Sequence, residues 1–159
     1  MHATSHGCSA PCSGVADLVQ ETFVEAFGSI GRLRDVDALP AWLRQIAVNR
    51  ARSCIRRRAR LRLFGALGFV DVPDPASKSA SPEVREALAE TYRIIEALPV
   101  DLRIAFTLRF VDGRELVEVA EACQVSLATI KRRLVTAEAR FRRMAAHGGK
   151  LDDWLGGWP

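Results

Sequence analysis

The chain of 159 residues is 48% hydrophobic and 26% charged, and 23 Lys and Arg against 19 Asp and Glu leave a net charge of +4. That length suits one domain or two small ones. No stretch reaches the roughly 18 apolar residues of a membrane span, and the start lacks the basic-then-apolar layout of a secretory signal, so a cytoplasmic protein with no membrane insertion is expected.

Residues 1–14 read as a disordered, Ser-containing leader. His2, His6, Cys8 and Cys12 are zinc-type ligands by chemistry, but structural zinc sites draw ligands from two separate elements, and Gly7, Pro11 and Gly14 break this stretch up. Neither a metal nor any other cofactor is expected. Cys54 and Cys123 fall inside helical patterns, so no disulfide framework is implied and the thiols read as reduced.

The first unit spans 15–63. From Val15 to Ile30, Val19, Phe23, Ala26, Phe27 and Ile30 recur at helical spacing, with Asp17 near the start and Gly28 and Gly31 at the end, which predicts an amphipathic helix. A loop from Arg32 to Leu39 leads to Pro40, suited to the first turn of a second helix running to about Leu63. Leu43, Ile46, Ala47, Arg50, Ala51, Cys54 and Ile55 form its expected inner stripe.

Residues 64–81, with Gly65, Gly68, Pro73, Pro75 and several serines, read as a linker. The second unit spans 82–146. Ser81 is the expected N-cap of a helix that opens with Pro82 and Glu83 and aligns Val84, Leu88, Tyr92, Ile95 and Leu98 on one face. Pro99 and Asp101 start another, to about Val111, with Leu102, Ala105, Phe106 and Leu108 buried. Asp112-Gly113 is a turn, Glu115 to Cys123 a short helix, Gln124-Val125 a tight turn, and Ser126 caps a last helix to about Ala146. Residues 147–159, with Leu151, Trp154, Leu155 and Trp158, form a loosely packed tail. No segment alternates with period two, so the fold class is all-α: two small helical domains joined by a linker, the C-terminal one a helix-turn-helix.

Charge is unevenly divided. Residues 1–30 carry −3, 31–62 carry +8, 63–121 carry −5, 122–150 carry +6 and the tail −2. Two basic blocks around an acidic middle read as two footprints for a polyanion, and like charges on neighbouring turns, as in Arg56-Arg57-Arg58, are destabilising until a partner neutralises them.

Glu115 to Leu134 has the layout of a helix-turn-helix: Ala120 is small at the helix crossing, Val125 is apolar in the turn, and Ile130 and Leu134 pin the second helix to the first. The recognition helix begins at Leu127 and is expected to expose Ser126, Ala128, Thr129, Lys131, Arg132 and Arg133. Hydroxyls and Lys or Arg there can bond base edges, and the amides of a helix N-terminus can bind phosphate. Gln124 stands where glycine is common, and a positive φ there carries strain.

Three stretches then matter jointly: Asp17-Leu-Val-Gln-Glu-Thr-Phe23, Trp42-Leu-Arg-Gln-Ile-Ala-Val-Asn-Arg-Ala51 with the arginine run after it, and Leu98-Pro99 through Leu134. In these and in their order the sequence resembles the extracytoplasmic-function (ECF) sigma factors, two-domain members of the bacterial sigma family. The resemblance implies a protein that binds core RNA polymerase and directs promoter recognition, DNA melting and transcription initiation, with promoter DNA and an anti-sigma factor as further partners.

By that resemblance Asp17, Gln20 and Glu21, supported by Phe23 and Phe27, face polymerase. Arg34, Asp35 and Leu39 lie in the loop that captures an unstacked −10 base; Asn49 reads a base edge while Arg44, Arg50, Arg52, Arg56 and Arg57 hold phosphates. Leu127 and the exposed residues of the recognition helix read the −35 element, with Arg114 on a phosphate. Binding of single-stranded bases then offsets the cost of unstacking. Family members carry a further long helix ahead of the Asp17 segment, where only sixteen residues stand here, so the inner face of the first helix is expected to be partly uncovered. Leu39 also replaces the family's usual aromatic.

Two other readings compete. A helix-turn-helix repressor that never touches polymerase has no use for the acidic first helix or the Trp42 block. A serine recombinase also ends in a helix-turn-helix, but it needs a sheet-containing catalytic domain, and the N-terminal half shows no strand pattern. His2, His6 and His147 are the only histidines, and no carboxylate pair or phosphate-cradling glycine loop is present, so no catalysis is expected.

Overall fold

The computed structural model describes residues 14–63 and 81–148. The His/Cys leader, the linker up to residue 80 and the tryptophan tail lie outside the described residues. Those described fall into two compact units, one within Met1–Gly68 and one within Phe69–Pro159. They are helical, with no strand among them, and none of their helices is long and apolar enough to cross a membrane.

In the first unit α1 (Val15–Ser29) packs along α2 (Leu39–Leu63). A 3₁₀ turn, Ile30–Arg32, closes α1, and the Leu33 amide donates to the Ile30 carbonyl at 3.0 Å. The apolar stripe of α1 is largely uncovered, in keeping with the partly uncovered inner face expected of it. Ala26 is buried, but Val19, Phe23 and Ile30 are about half exposed and Phe27 is 74% exposed. The helix turns Thr22 and Ala26 toward its neighbour, and the Thr22 hydroxyl stays satisfied by donating to the Leu18 carbonyl at 2.7 Å. Helical period identifies an apolar face; it does not say what covers it. On α2 Ile46 and Cys54 of the expected stripe are buried, but so is Val48, two residues from Ile46 and on another side of the helix.

The second unit is built around α6 (Leu127–Gly148), which packs on α3 (Pro82–Ala97), α4 (Val100–Phe106) and α5 (Leu116–Cys123). Ile130, Leu134, Ala137, Phe141 and Ala145 recur at i, i+4, i+7, i+11 and i+15, and none is more than 5% exposed. The Phe106 ring lies 5.1 Å from that of Phe141 and 4.7 Å from that of Phe110. Ile94, Ile95, Leu98 and Ala137 join Phe106 and Phe141 in one cluster.

The expected face of α3 is shifted by part of a turn: Ile94, Ile95 and Leu98 are buried with Ala87 packed beside them, while Tyr92 lies on the surface. Ile104 is buried rather than Leu108, which is half-buried. Past Phe106 the helix widens into a π turn, Thr107–Val111, where the Asp112 amide reaches the Thr107 carbonyl at 3.0 Å.

The helix ends follow from local chemistry. The Ser81 hydroxyl accepts from the Val84 amide at 3.4 Å, with Pro82 next in line. Its hydrogen bond also holds the Glu83 carboxyl below its ordinary pKa. Arg103 closes the other end of α3 by donating to the Glu96 and Leu98 carbonyls. At the start of α5 the Glu118 carboxylate accepts from the Glu115 amide at 3.1 Å.

Helix α5 stops in a Schellman arrangement: the Val125 amide bonds the Ala120 carbonyl at 3.1 Å and the Gln124 amide bonds that of Glu121 at 3.0 Å. Gln124 takes φ 56° and ψ 44° and is the one non-glycine residue with positive φ among those described. Left-handed backbone costs an L-residue roughly 1–2 kcal/mol, against which glycine's extra chain entropy offsets roughly 0.5–1 kcal/mol. Gln124→Gly is therefore expected to stabilise the second unit by about 0.5–1 kcal/mol in denaturant titration. No gain would show that the turn carries no left-handed strain.

Candidate nucleic-acid interface

The surface expected to read DNA is the turn and first two turns of α6. Ser126 caps the helix: its hydroxyl oxygen accepts from the Thr129 amide at 3.3 Å and lies 2.9 Å from the Thr129 hydroxyl, while its carbonyl accepts from the Ile130 amide at 3.1 Å. Ser126, Leu127, Ala128, Lys131 and Arg132 are exposed and Thr129 is half-buried, so hydroxyls, a short apolar side chain and two cations share one outward surface. Beneath it Val119 and Ile130 are fully buried, which fixes the direction of α6 on α5.

Arg133 departs from the expected arrangement. It is not exposed with its neighbours: its side chain is 22% exposed and its guanidinium lies 3.8 Å from the Asp101 carboxylate on α4. At 100° per residue, position 133 turns away from the surface that 131 and 132 share.

Arg114, just before α5, is anchored among acids. Its Nε donates to Asp112 at 2.7 Å and its Nη1 lies 3.6 Å from Glu118. Asp112, first by its hydrogen bond and then by its charge, holds the Arg114 guanidinium above its ordinary pKa. Arg109, which the sequence reading assigned no role, fixes this corner. It donates to the Arg114 carbonyl at 2.8 Å and lies 3.8 Å from Glu115. Partners spaced five or six residues apart across a π turn and a loop leave no periodic trace in sequence.

In the first unit the loop before α2 is exposed from Arg34 to Ala38, and Leu39 is half-buried. The Asp35 carboxylate accepts from the Asp37 amide at 2.9 Å and the Leu39 amide donates to the Val36 carbonyl at 3.0 Å, so the loop is a tight turn held by its own acid. Val36, at its tip, is 78% exposed and is the residue there that sequence reasoning missed. Its exposure depends on the turn, which only the Asp-Val-Asp spacing hinted at.

Along α2, Asn49 and Arg52 are brought together: Arg52 donates to the Asn49 side-chain oxygen at 3.1 Å. Arg44, Arg57 and Arg58 are half-buried and Arg56 and Arg60 exposed. Arg50 turns toward α1, where its Nε donates to Glu25 and its Nη1 lies 3.9 Å from Glu21. On α1, Gln20 is exposed, Asp17 and Glu21 are half-buried, and the Phe23 and Phe27 rings lie 6.4 Å apart on the surface. Polar residues and an apolar pair thus flank each other on one helix, a mixed surface of the kind protein partners use.

Comparison with known proteins gives matches to both units. Residues 11–61 match the family described as Sigma-70 region 2, and residues 88–141 match Sigma-70, region 4. The chain is 31% identical over 141 residues to the ECF RNA polymerase sigma-E factor of Escherichia coli (strain K12), covering 80% of this chain and 71% of that one. The same figures hold for the sigma-E factor of Salmonella typhimurium (strain LT2). The RNA polymerase sigma-H factor of Pseudomonas aeruginosa is 29% identical over 133 residues, 76% of this chain and 67% of the other. Among solved structures, the sigma factor RpoE in complex with the anti-sigma factor NepR from Bartonella quintana has the same fold: the TM-score is 0.63 at 24% identity, covering 82% of this chain and 80% of that one.

The Ser126 cap ties local structure to the interface. Ser126→Ala is expected to cost about 1 kcal/mol of stability, read by thermal melting. By fraying the first turn of α6 it should also weaken duplex binding.

Proposed function

The chain belongs to the ECF sigma factors of the sigma-70 family, and from that premise we propose how its residues divide the work of initiation. As a sigma factor it binds core RNA polymerase, directs it to promoter DNA and is not an enzyme. What supports a division between the units is the occurrence of region 2 and region 4 in one chain in that order, each with its own basic block of +8 or +6.

In this reading the leader (1–14) and tail (147–159) flank two working domains, 15–63 and 82–146, joined by the 64–81 linker. Asp17, Gln20 and Glu21, with Phe23 and Phe27 beside them, dock on polymerase. The tight turn with Arg34, Asp35, Val36 and Leu39 receives a −10 base, Asn49 contacts a base edge, and Arg44, Arg52, Arg56 and Arg57 hold the non-template strand. At the −35 element Ser126, Leu127, Ala128, Thr129, Lys131 and Arg132 enter the major groove. Arg114 reaches a phosphate from its acidic clasp. Arg133, paired with Asp101, acts by orienting α6. The protein works in the cytoplasm, where polymerase is, and an anti-sigma factor, such as the NepR bound to the Bartonella protein, holds it inactive.

Promoter-dependent RNA synthesis by core polymerase plus the chain tests this division. Lys131→Ala and Arg132→Ala should each weaken duplex −35 binding by about 1–3 kcal/mol, leaving melting of a bound promoter intact. Asn49→Ala should slow open-complex formation, read by permanganate reactivity, with duplex binding unchanged. If both classes of variant impaired the same step, the assignment would fall. Duplex affinity should also decrease with salt at a log–log slope of about −0.9 per phosphate contact.

A further inference from the structure

We propose that Arg50, Glu21 and Glu25 form a latch that withholds a strand-binding cation in the free protein and releases it when polymerase docks. The inference rests on the division of labour above, in which α1 faces polymerase and α2 faces the non-template strand.

Arg50 belongs to α2, the element that meets single-stranded DNA in this reading, but on its side turned to α1, where its guanidinium donates to Glu25 and lies 3.9 Å from Glu21, two carboxylates about one turn apart. One cation and two anions leave this junction with a net charge of −1, where α2 alone would present +1. A phosphate approaching Arg50 must compete with both carboxylates and also meets their repulsion.

None of the three side chains is sequestered. Arg50 is 37% exposed, Glu25 39% and Glu21 24%, so water and partner groups reach them. Pairs this exposed are weak and exchange partners readily. Glu21 also belongs to the polymerase-facing set. A basic group of polymerase that engages Glu21 removes one of the two carboxylates from Arg50, and the net charge of the junction rises from −1 to zero. The guanidinium is then free to take a phosphate in place of Glu25. Binding linkage makes the effect reciprocal: a bound strand must raise polymerase affinity by the factor by which polymerase raises strand affinity.

Glu25 tests the latch because no contact with polymerase or DNA is assigned to it. The full chain without polymerase is titrated with a fluorescein-labelled single-stranded oligodeoxynucleotide of mixed sequence at several salt concentrations. Glu25→Gln is expected to tighten binding roughly 3- to 10-fold and to steepen the salt slope by about 0.7, the signature of one added phosphate contact on a single strand. Adding Arg50→Ala to that variant should abolish the gain.

Glu25→Asp, which keeps the charge but draws the carboxylate back, should give a smaller gain in the same direction and guards against a defect in folding, which thermal melting reports. In wild type the oligonucleotide should also tighten polymerase binding, and Glu25→Gln should shrink that coupling. Unchanged affinity and slope in both Glu25 variants overturns the latch, as does a gain that survives Arg50→Ala. Failure of the wild-type chain to bind polymerase would instead strike at the division of labour, because strand binding by the free chain is measured without polymerase.

Discussion

Much of the second unit depends on the buried stripe of α6. Its five apolar positions from Ile130 to Ala145 run along most of a 22-residue helix, about 33 Å at 1.5 Å per residue. The upper part of the stripe presses on α5 and defines the helix-turn-helix, while the lower part closes over Phe106, Ile94 and Leu98. The helix that presents Lys131 and Arg132 is therefore held at its far end by an apolar cluster. Small residues permit a close approach: Ala120, Ala137 and Ala145 are all nearly inaccessible. The direction of this end is thus set both by Val119 and Ile130 directly beneath it and by packing two to four turns away.

The first unit is held differently. Between α1 and α2 the described burial is modest, with Thr22 and Ala26 on one side and Ile46, Val48 and Cys54 on the other, while α1 leaves Val15, Val19, Phe23, Phe27 and Ile30 substantially exposed. Ion pairs from Arg50 to Glu21 and Glu25 add a polar link between the two helices. Partly exposed ion pairs add little stability and respond to partners and salt. An element joined in this way can be altered by what binds it.

How far the sequence disclosed this varied with the range of the interaction. Helices set by period, by Ser81 and Ser126 caps and by Pro82 or Pro99 were legible because their causes lie within a turn or two. So was the left-handed Gln124, since the turn of a helix-turn-helix demands it. The facing of α1 and α3 was not. Val19, Phe23 and Phe27 form a sound apolar stripe, and Tyr92 sits at a correct helical interval, but periodicity ranks faces by composition while burial depends on the neighbour. Arg50 with Glu25, Arg103 with the end of α3, and Arg133 with Asp101 were also out of reach. A pair 25 or 32 residues apart has no local signature, and an arginine inside a basic block reads as part of the block.

Formal charges of +8 over 31–62 and +6 over 122–150 treat every arginine alike, yet Arg50 and Arg133 sit against carboxylates contributed by elements outside their own block. The field that a phosphate meets is the sum over the folded surface, and for these two residues much of the charge is cancelled within a few ångströms. The two cases differ in depth. Arg133, with 22% of its side chain exposed against Asp101, lies on the inner side of a rigid helix, where its work is to hold α6 against α4. Arg50 is more exposed and faces two acids, so a competing group can reach its contacts. Within one chain the same residue type thus supplies a fixed strut and an exchangeable contact. What separates them is the exposure of the arginine itself, 22% for Arg133 against 37% for Arg50.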